Sequence, residues 1–288
     1  MTPQVAPSPR ESLATLIRLA LAEDVGPGDW TTLWTVDGER PGQATVVAKS
    51  ELVVSGVEAA SAVLTAVDER LTVRAICGDG AGVGSGDVVL EVSGPAASIL
   101  TAERTALNFL GRLSGIATLT RAHVDAVRDT SVRVADTRKT TPGWRQLEKA
   151  AVRAGGGSNH RMGLYDMVMI KGNHVAAAGG LTAAVSRVRE CNAGRLPIEV
   201  EVRTPEELEE ALSLGVERIL LDNMDLPALG RAVDRVHRQG GARPEVEASG
   251  NIGLDTIRDV ARTGVDVISV GALTHSAPVA DLSLYLAE

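Results

Sequence analysis

The sequence predicts an α/β protein: a β-rich module followed by an α/β barrel. Three observations carry this. Between Ala44 and Leu100 the apolar pattern has a period near two, as half-buried strands require. Beyond Val132 strand-like and helical runs alternate, the later strands recurring at roughly twenty to twenty-seven residues, as repeated βα units of a parallel sheet do. Nearly every one of those strands ends in a polar or glycine-containing group. Function spread over a whole rim is the pattern of a barrel mouth, whereas an open doubly wound sheet gathers its ligand at one switch point.

Taken in order, MTPQVAPSPRES lacks the apolar core of a signal peptide and reads as a short disordered tail. SLATLIRLALAED places Leu13, Leu16, Ile17, Ala20 and Leu21 on one helical stripe, and VGPGDWTT is a turn. ATVVAKSELVVSG, LTVRAICGDGAG and DVVLEVSG read as strands, with VEAASAVLTAV as a covering helix. A long helical pattern follows, with a break expected near Gly115. The parallel strands are expected at VRVAD, MVMIK, PIEVEV, RILLDN, EVEAS and VDVISVG, with TPEELEEALSL, LPALGRAVDRVHRQ and LDTIRDVARTG as helices between the later ones.

Charge is distributed unevenly. The stretch from Asp136 to His174 has seven Lys and Arg against three Asp and Glu, a net of +4 in a chain of net charge -8, so the remainder sums to -12. A compact cationic island in an acidic protein suits small, multiply anionic substrates. The low pI and the 2% aromatic content argue against nucleic acid and anionic lipid as partners, and no apolar run is long enough to span a bilayer. A cytoplasmic protein with two reduced thiols, Cys77 and Cys191, is expected. There are four lysines among 29 cationic residues, and three of them, Lys139, Lys149 and Lys171, fall in this stretch. An ammonium on a flexible stem is needed where a planar guanidinium does not substitute. Lys149, within the helical run WRQLEKAAVRA, reads as part of a solvated face; Lys139 and Lys171 sit at strand ends.

The candidate groups follow the strand ends: Arg138 and Lys139; Lys171 and His174; Glu201; Asp222; Ser249, Gly250 and Asn251; Gly271. In IEVEV, Glu199 and Glu201 share a face because side chains alternate along a strand, with Glu199 one pleat deeper. Glu201 and Asp222 can hold ribose hydroxyls or a Mg²⁺ that neutralises pyrophosphate. SGNI and VGALTH offer small residues and backbone N–H groups to a phosphate on the last two strands. The three glycines 155–157 exceed what a helix cap requires. His160, beside Arg161 and directly after them, reads as a substrate contact. His123 and His237 lie in helical runs and read as structural, and His275 is left open.

DTRKTTPG, LEKAAVRAGGGSNHR, IEVEV, LLDNM, EASGNI and ISVGALTHS, with EDVGPGDWTT and ERTALNFLGRLSGIAT upstream, together resemble the quinolinate phosphoribosyltransferase family over nearly the whole chain. The resemblance implies an α/β fold with a sandwich-like N-terminal domain over residues 1–115, an open α/β barrel over 116–275, and a segment 276–288 packing back on the first domain. It implies a glycosyltransferase of NAD biosynthesis: quinolinate and 5-phosphoribosyl 1-pyrophosphate give nicotinate mononucleotide, pyrophosphate and CO₂ with Mg²⁺. It implies a homodimer in which Arg104 reaches the partner's barrel mouth, with no nucleic acid or membrane partner. Arg104, Thr137, Arg138, Lys139, His160, Arg161 and Lys171 would bind the substrates' anionic groups. Lys139, Glu201 and Asp222 would serve catalysis, the two carboxylates also being metal candidates. Ser249, Gly250, Asn251, Val270, Gly271 and Ala272 would cradle the 5′-phosphate.

One motif departs from the pattern: the family's IKDNH reads IKGNH here, with Gly172 in the place of Asp. Weaker binding of the Mg²⁺–sugar-pyrophosphate complex is expected, with activity retained, and Gly172→Asp should raise that affinity. Other readings compatible with the sequence are a barrel lyase forming a Schiff base at Lys139 or Lys171, a paralogue associated with molybdate transport taking another acceptor, a degenerate sugar-phosphate-binding barrel, and a lipoyl-type carrier suggested by GDGAGVGSGDVVLEV. The carrier reading lacks a lysine at a hairpin tip.

Overall fold

The structure, a computed structural model, describes residues 8–240 and 243–287. Most of the expected N-terminal tail lies outside the described residues, but its last residues are already helical. The chain forms two compact units: one takes the residues up to Arg121, Thr140–Gly156 and the segment from Ser276 on; the other takes Ala122–Lys139 and Gly157–His275.

The first unit contains α1 (Pro9–Asp24), α2 (Trp30–Thr35), β1 (Pro41–Ala48), β2 (Leu52–Val53), α3 (Val57–Val67), β3 (Thr72–Ala75), β4 (Gly82–Val83), β5 (Val88–Pro95) and most of α4 (Ala96–Ala126). Helix α1 starts where it does because Ser8 and Glu11 form a reciprocal capping box and Pro9 needs no N–H partner in the first turn. Antiparallel strands β1, β5 and β3 form a sheet. Its order is completed by the last strand of the chain, β12 (Leu282–Leu286), which pairs with β1 from Ala44↔Leu286 to Ala48↔Leu282. Buried residues alternate along β1, so the sheet has one apolar face.

Helix α4 runs unbroken through Gly115, contrary to the expected break. The glycine has a packing role. A Cβ there would lie 1.9 Å from the carbonyl oxygen of Pro278, so only glycine admits the C-terminal segment against the helix. Helix α5 (Arg145–Ala154) also belongs to this unit. Lys149 within it is fully buried and not on a solvated face, as is its neighbour Glu148, which pairs with Arg112 at 2.8 Å and accepts from the Thr141 hydroxyl. Gly155, which caps α5, packs where a Cβ would meet the Ala117 carbonyl at 2.4 Å, and Gly156 has φ +93°. Two of the three consecutive glycines are therefore explained by packing and chain reversal.

The second unit holds six parallel strands: β6 (Arg133–Ala135), β7 (Val168–Ile170), β8 (Ile198–Val202), β9 (Arg218–Asp222), β10 (Glu245–Ser249) and β11 (Val267–Ser269). Their order is β7-β8-β9-β10-β11-β6, so consecutive units are neighbours and the first strand returns beside the last; β6 and β7 do not pair. This is an α/β barrel open at one seam. Helices α6 (Gly172–Ala178), α7 (Leu181–Asn192), α8 (Pro205–Leu214), α9 (Leu226–His237) and α10 (Ile257–Arg262) lie between them, and α11 (Ala272–His275) follows β11. Helices α8 and α9 start at Thr204 and Asp225, whose side chains accept N–H groups of the first turn, with Pro just inside each. One face of each strand is apolar: Ile198, Val200 and Val202; Ile219 and Leu221; Val246 and Ala248. The other face carries Glu199 and Glu201, Arg218 and Asp222, Glu245, Glu247 and Ser249. Period-two alternation thus lines one side of the sheet with charge.

Candidate active site

At the C-terminal ends of these strands lies a cavity of about 470 Å³. Of the residues proposed from sequence, Thr137, Arg138, Lys139, His160, Arg161, Lys171, Asp222, Ser249, Gly250 and Asn251 line it. Glu201 lies just beneath, 9% exposed, with its Oε2 2.6 Å from Lys171 Nζ. Gly271 supports the wall: a Cβ would meet the Lys139 Cδ at 3.0 Å, so the glycine lets that stem lie flat across the end of β11. Val270 is buried, its N–H donating to Ala135 O, and Ala272 opens α11; neither faces the cavity. Arg104 is exposed on α4, in the first unit. His174 accepts the Lys171 N–H at 3.0 Å and caps α6.

The cationic side is held under tension. Burial, and next the charge of Arg138, press the Arg161 guanidinium below its ordinary pKa, a cost that an anion in the cavity would relieve. Asp136, fully buried, fixes the segment before it by accepting the His160 N–H at 2.9 Å and the Asn159 amide. Opposite, the turns after β9 and β10 are locked together. Asn223 and Asn251 take left-handed backbone conformations, φ 54° and 51°, and Asn223 N–H donates to Ser249 O. Between them Gly250 has φ +105°, and a Cβ there would stand 2.2 Å from Asn223 Oδ1. Strained turns so tightly determined present backbone groups in fixed positions.

Two acidic sets lie at different depths. At the rim, Arg203 bridges Glu201 and Asp222: its Nη2 is 2.9 Å from Glu201 Oε1 and its Nε 3.1 Å from Asp222 Oδ2. Below, His160 Nε2 lies 3.1 Å from Glu199 and 3.2 Å from Glu247, both carboxylates fully buried. The ring sits between the two, off axis for a strong bond to either. Burial opposes charge on His160, but the two carboxylates outweigh it and raise its pKa to about 9. Burial pushes Glu199 up. It pushes Glu247 up too, but contacts with His160 and Ser269 and the charge of Arg218 hold that carboxyl below its ordinary value. The Arg161 N–H donates to His160 Nδ1 at 2.8 Å, so Nε2 bears a ring proton and presents it to the two carboxylates.

Among the described residues, the only histidine and acidic side chains grouped closely enough to hold a metal are these same three, His160, Glu199 and Glu247. They do not suit one: Nε2 carries the ring proton, and Arg218 already stands 3.4 Å from Glu247. At the rim the donors are carboxylates, as Mg²⁺ prefers. Asp222 fits, since it engages Arg203 through Oδ2 and has Oδ1 to offer. Glu201 fits poorly, with each oxygen taken by a cation. The same pairing occupies Lys171 Nζ with Glu201, which makes it a poor candidate for Schiff-base chemistry.

Sequence reasoning missed Arg203, Asn223 and Glu247. Arg203 directly follows IEVEV and Glu247 repeats the same alternation in EVEAS, so the pattern was present for both. Asn223 is placed by backbone strain, which leaves no sequence signal.

A barrel with a cationic mouth and a tight glycine turn on a late strand has the architecture of α/β-barrel enzymes, whose sites lie at this end of the strands. Models of the quinolinate phosphoribosyl transferase N-terminal and C-terminal domains match residues 29–114 and 116–285, and the chain belongs to that family. It is 44% identical over 266 residues to a Synechocystis protein named for nicotinate-nucleotide pyrophosphorylase (carboxylating), covering 92% of this chain and 90% of that one. It is 43% identical over 291 residues to the chloroplastic nicotinate-nucleotide pyrophosphorylase (carboxylating) of Arabidopsis thaliana, covering 96% and 83%. The solved nicotinate-nucleotide pyrophosphorylase of Francisella tularensis superposes with a TM-score of 0.92 at 36% identity, covering all of both chains.

Proposed function

We infer that this chain transfers phosphoribose from 5-phosphoribosyl 1-pyrophosphate to quinolinate with decarboxylation, giving nicotinate mononucleotide, pyrophosphate and CO₂ for NAD biosynthesis. The observation that carries the reading is the cavity itself, cationic on one side through Arg138, Lys139, Arg161 and Lys171, and faced on the other by Asp222 and the Ser249–Asn251 turn. Quinolinate has two adjacent carboxylates, and guanidinium and ammonium groups from the ends of β6 and β7 and from the loop before β7 hold them in register. The ring nitrogen attacks the anomeric carbon as pyrophosphate leaves, so no protein nucleophile is needed. Asp222 and Glu201 favour the positive charge that develops on the sugar, and the Lys139 side chain would meet the negative charge that departs. Mg²⁺ bound with the pyrophosphate would be met by Asp222 and would neutralise that leaving charge. Once the nitrogen is quaternary, the pyridinium accepts the electron pair of the breaking C2–carboxylate bond, and the chain's task is to hold that group and exclude water. The turn at Ser249–Asn251 takes the 5′-phosphate, with Gly271 in the wall beside it.

A homodimer with Arg104 supplied across the subunit boundary, and a cytoplasmic location, complete the reading. Among the described residues no helix is long and apolar enough to cross a membrane.

The test is an assay with quinolinate, phosphoribosyl pyrophosphate and Mg²⁺ that follows nicotinate mononucleotide and CO₂ together, with nicotinate as control acceptor. Equal release of both products from quinolinate, and none from nicotinate, is expected. Intact binding of both substrates without product would overturn it in favour of another acceptor or a degenerate barrel.

A further inference from the structure

We propose that Arg203 is a resident cation which takes over much of the divalent metal's role at the pyrophosphate end of the site, so that this chain binds phosphoribosyl pyrophosphate with weak dependence on Mg²⁺. The proposal rests on the phosphoribosyl-transfer reading above.

The rim set contains two carboxylates, Glu201 and Asp222, and two cations, Lys171 and Arg203, in direct contact. Its formal charge is therefore zero. Mg²⁺ at a phosphate site is held by one or two carboxylates together with the substrate's own phosphate oxygens, and of the four carboxylate oxygens here Asp222 Oδ1 is the one not engaged by Lys171 or Arg203. Pyrophosphate approaching uncompensated carboxylates would be repelled; approaching this neutralised pair, it meets a guanidinium. That group is planar, always charged and suited to two-point contact with phosphate oxygens.

Arg203 is placed for this. Its backbone N–H is anchored to Glu207 at 2.7 Å at the start of α8, while its side chain is 61% exposed and meets the two carboxylates through Nε and Nη2, with Nη1 turned toward Gly172. Residue 172 bears on it directly. A Cβ built on Gly172 has one neighbour within 4 Å, Arg203 Nη1 at 3.9 Å. An aspartate there, as in the IKDNH pattern, would set a third carboxylate against the guanidinium. It would draw the arginine from Glu201 and Asp222, restore a net negative charge, and favour the metal in its place. Gly172 therefore does more than remove a ligand: it leaves Arg203 committed to the two carboxylates.

Calorimetric titration of phosphoribosyl pyrophosphate into the full chain, with EDTA and with saturating Mg²⁺, reads the effect as the ratio of the two dissociation constants. The wild type should show a ratio within about threefold. Arg203→Ala should widen it by about tenfold or more, chiefly by weakening binding in EDTA, because the bared carboxylates then repel the ligand unless metal is present. Gly172→Asp should widen it in the same direction by a smaller factor; it needs no backbone change, since Gly172 does not take a positive φ. A ratio unchanged in both variants, or an equal loss under both conditions, would overturn the proposal. Failure of the wild type to bind phosphoribosyl pyrophosphate under either condition would overturn the parent reading with it.

Discussion

The two acidic sets of the barrel start from nearly the same chemistry and end in different roles. Glu199 and Glu201 are neighbours on one face of β8, separated by one pleat. The deeper, fully buried one meets a histidine and a second buried glutamate and shares a proton with them. The outer one meets Lys171 and Arg203 beside the cavity. Depth decides which solution is stable. In the interior a second uncompensated negative charge costs more than holding a proton, whereas at the rim flexible cations neutralise both carboxylates and can later release them to a ligand.

Substitutions should separate the two levels. The largest effect is expected from Glu247→Ala, which leaves Arg218 and His160 facing a void. A loss of about 3–5 kcal/mol is expected in urea denaturation, and a loss under about 1 kcal/mol would mean that the buried set is not coupled. Gly250→Ala forces a Cβ onto Asn223 and should cost about 1–3 kcal/mol. It should also weaken phosphoribosyl pyrophosphate binding, which calorimetry would detect; unchanged affinity would exclude that turn from the site. A smaller effect is expected with pH. The pKa of His160 is raised from the ordinary value to about 9, so its contribution is fully present below about pH 6.5 and lost as pH rises through 9. Thermal melts should show that decline in the wild type and a flatter profile in His160→Gln. Smallest in stability is Lys171→Met, at under about 1 kcal/mol for a half-exposed pair, with quinolinate affinity falling about tenfold or more. Equal affinity would remove Lys171 from the acceptor site.

The level of each residue was partly legible in the sequence. The six parallel strands were readable from apolar runs and spacing, and strand alternation alone placed Glu199 beneath Glu201. The cationic island around Arg138, Lys139, Arg161 and Lys171 was visible as a charge imbalance. What stayed hidden depends on long-range packing. Lys149 looked solvated because WRQLEKAAVRA is amphipathic by itself, yet tertiary packing buries it. Gly115 read as a helix break because nothing local announces that Pro278, 163 residues on, would press against it. Arg203 went unnoticed, since a bridge to Asp222 requires knowing that β8 and β9 are adjacent.

The most direct test of the division by depth is a paired measurement on Glu199→Gln and Glu201→Gln, recording for each the melting temperature from neutral pH to pH 9 and the dissociation constant for phosphoribosyl pyrophosphate. Glu199→Gln should alter the pH profile of stability and leave the affinity within about twofold, while Glu201→Gln should leave the profile unchanged and shift the affinity by about tenfold. Equal shifts in affinity from both, or the reverse assignment, would contradict the account.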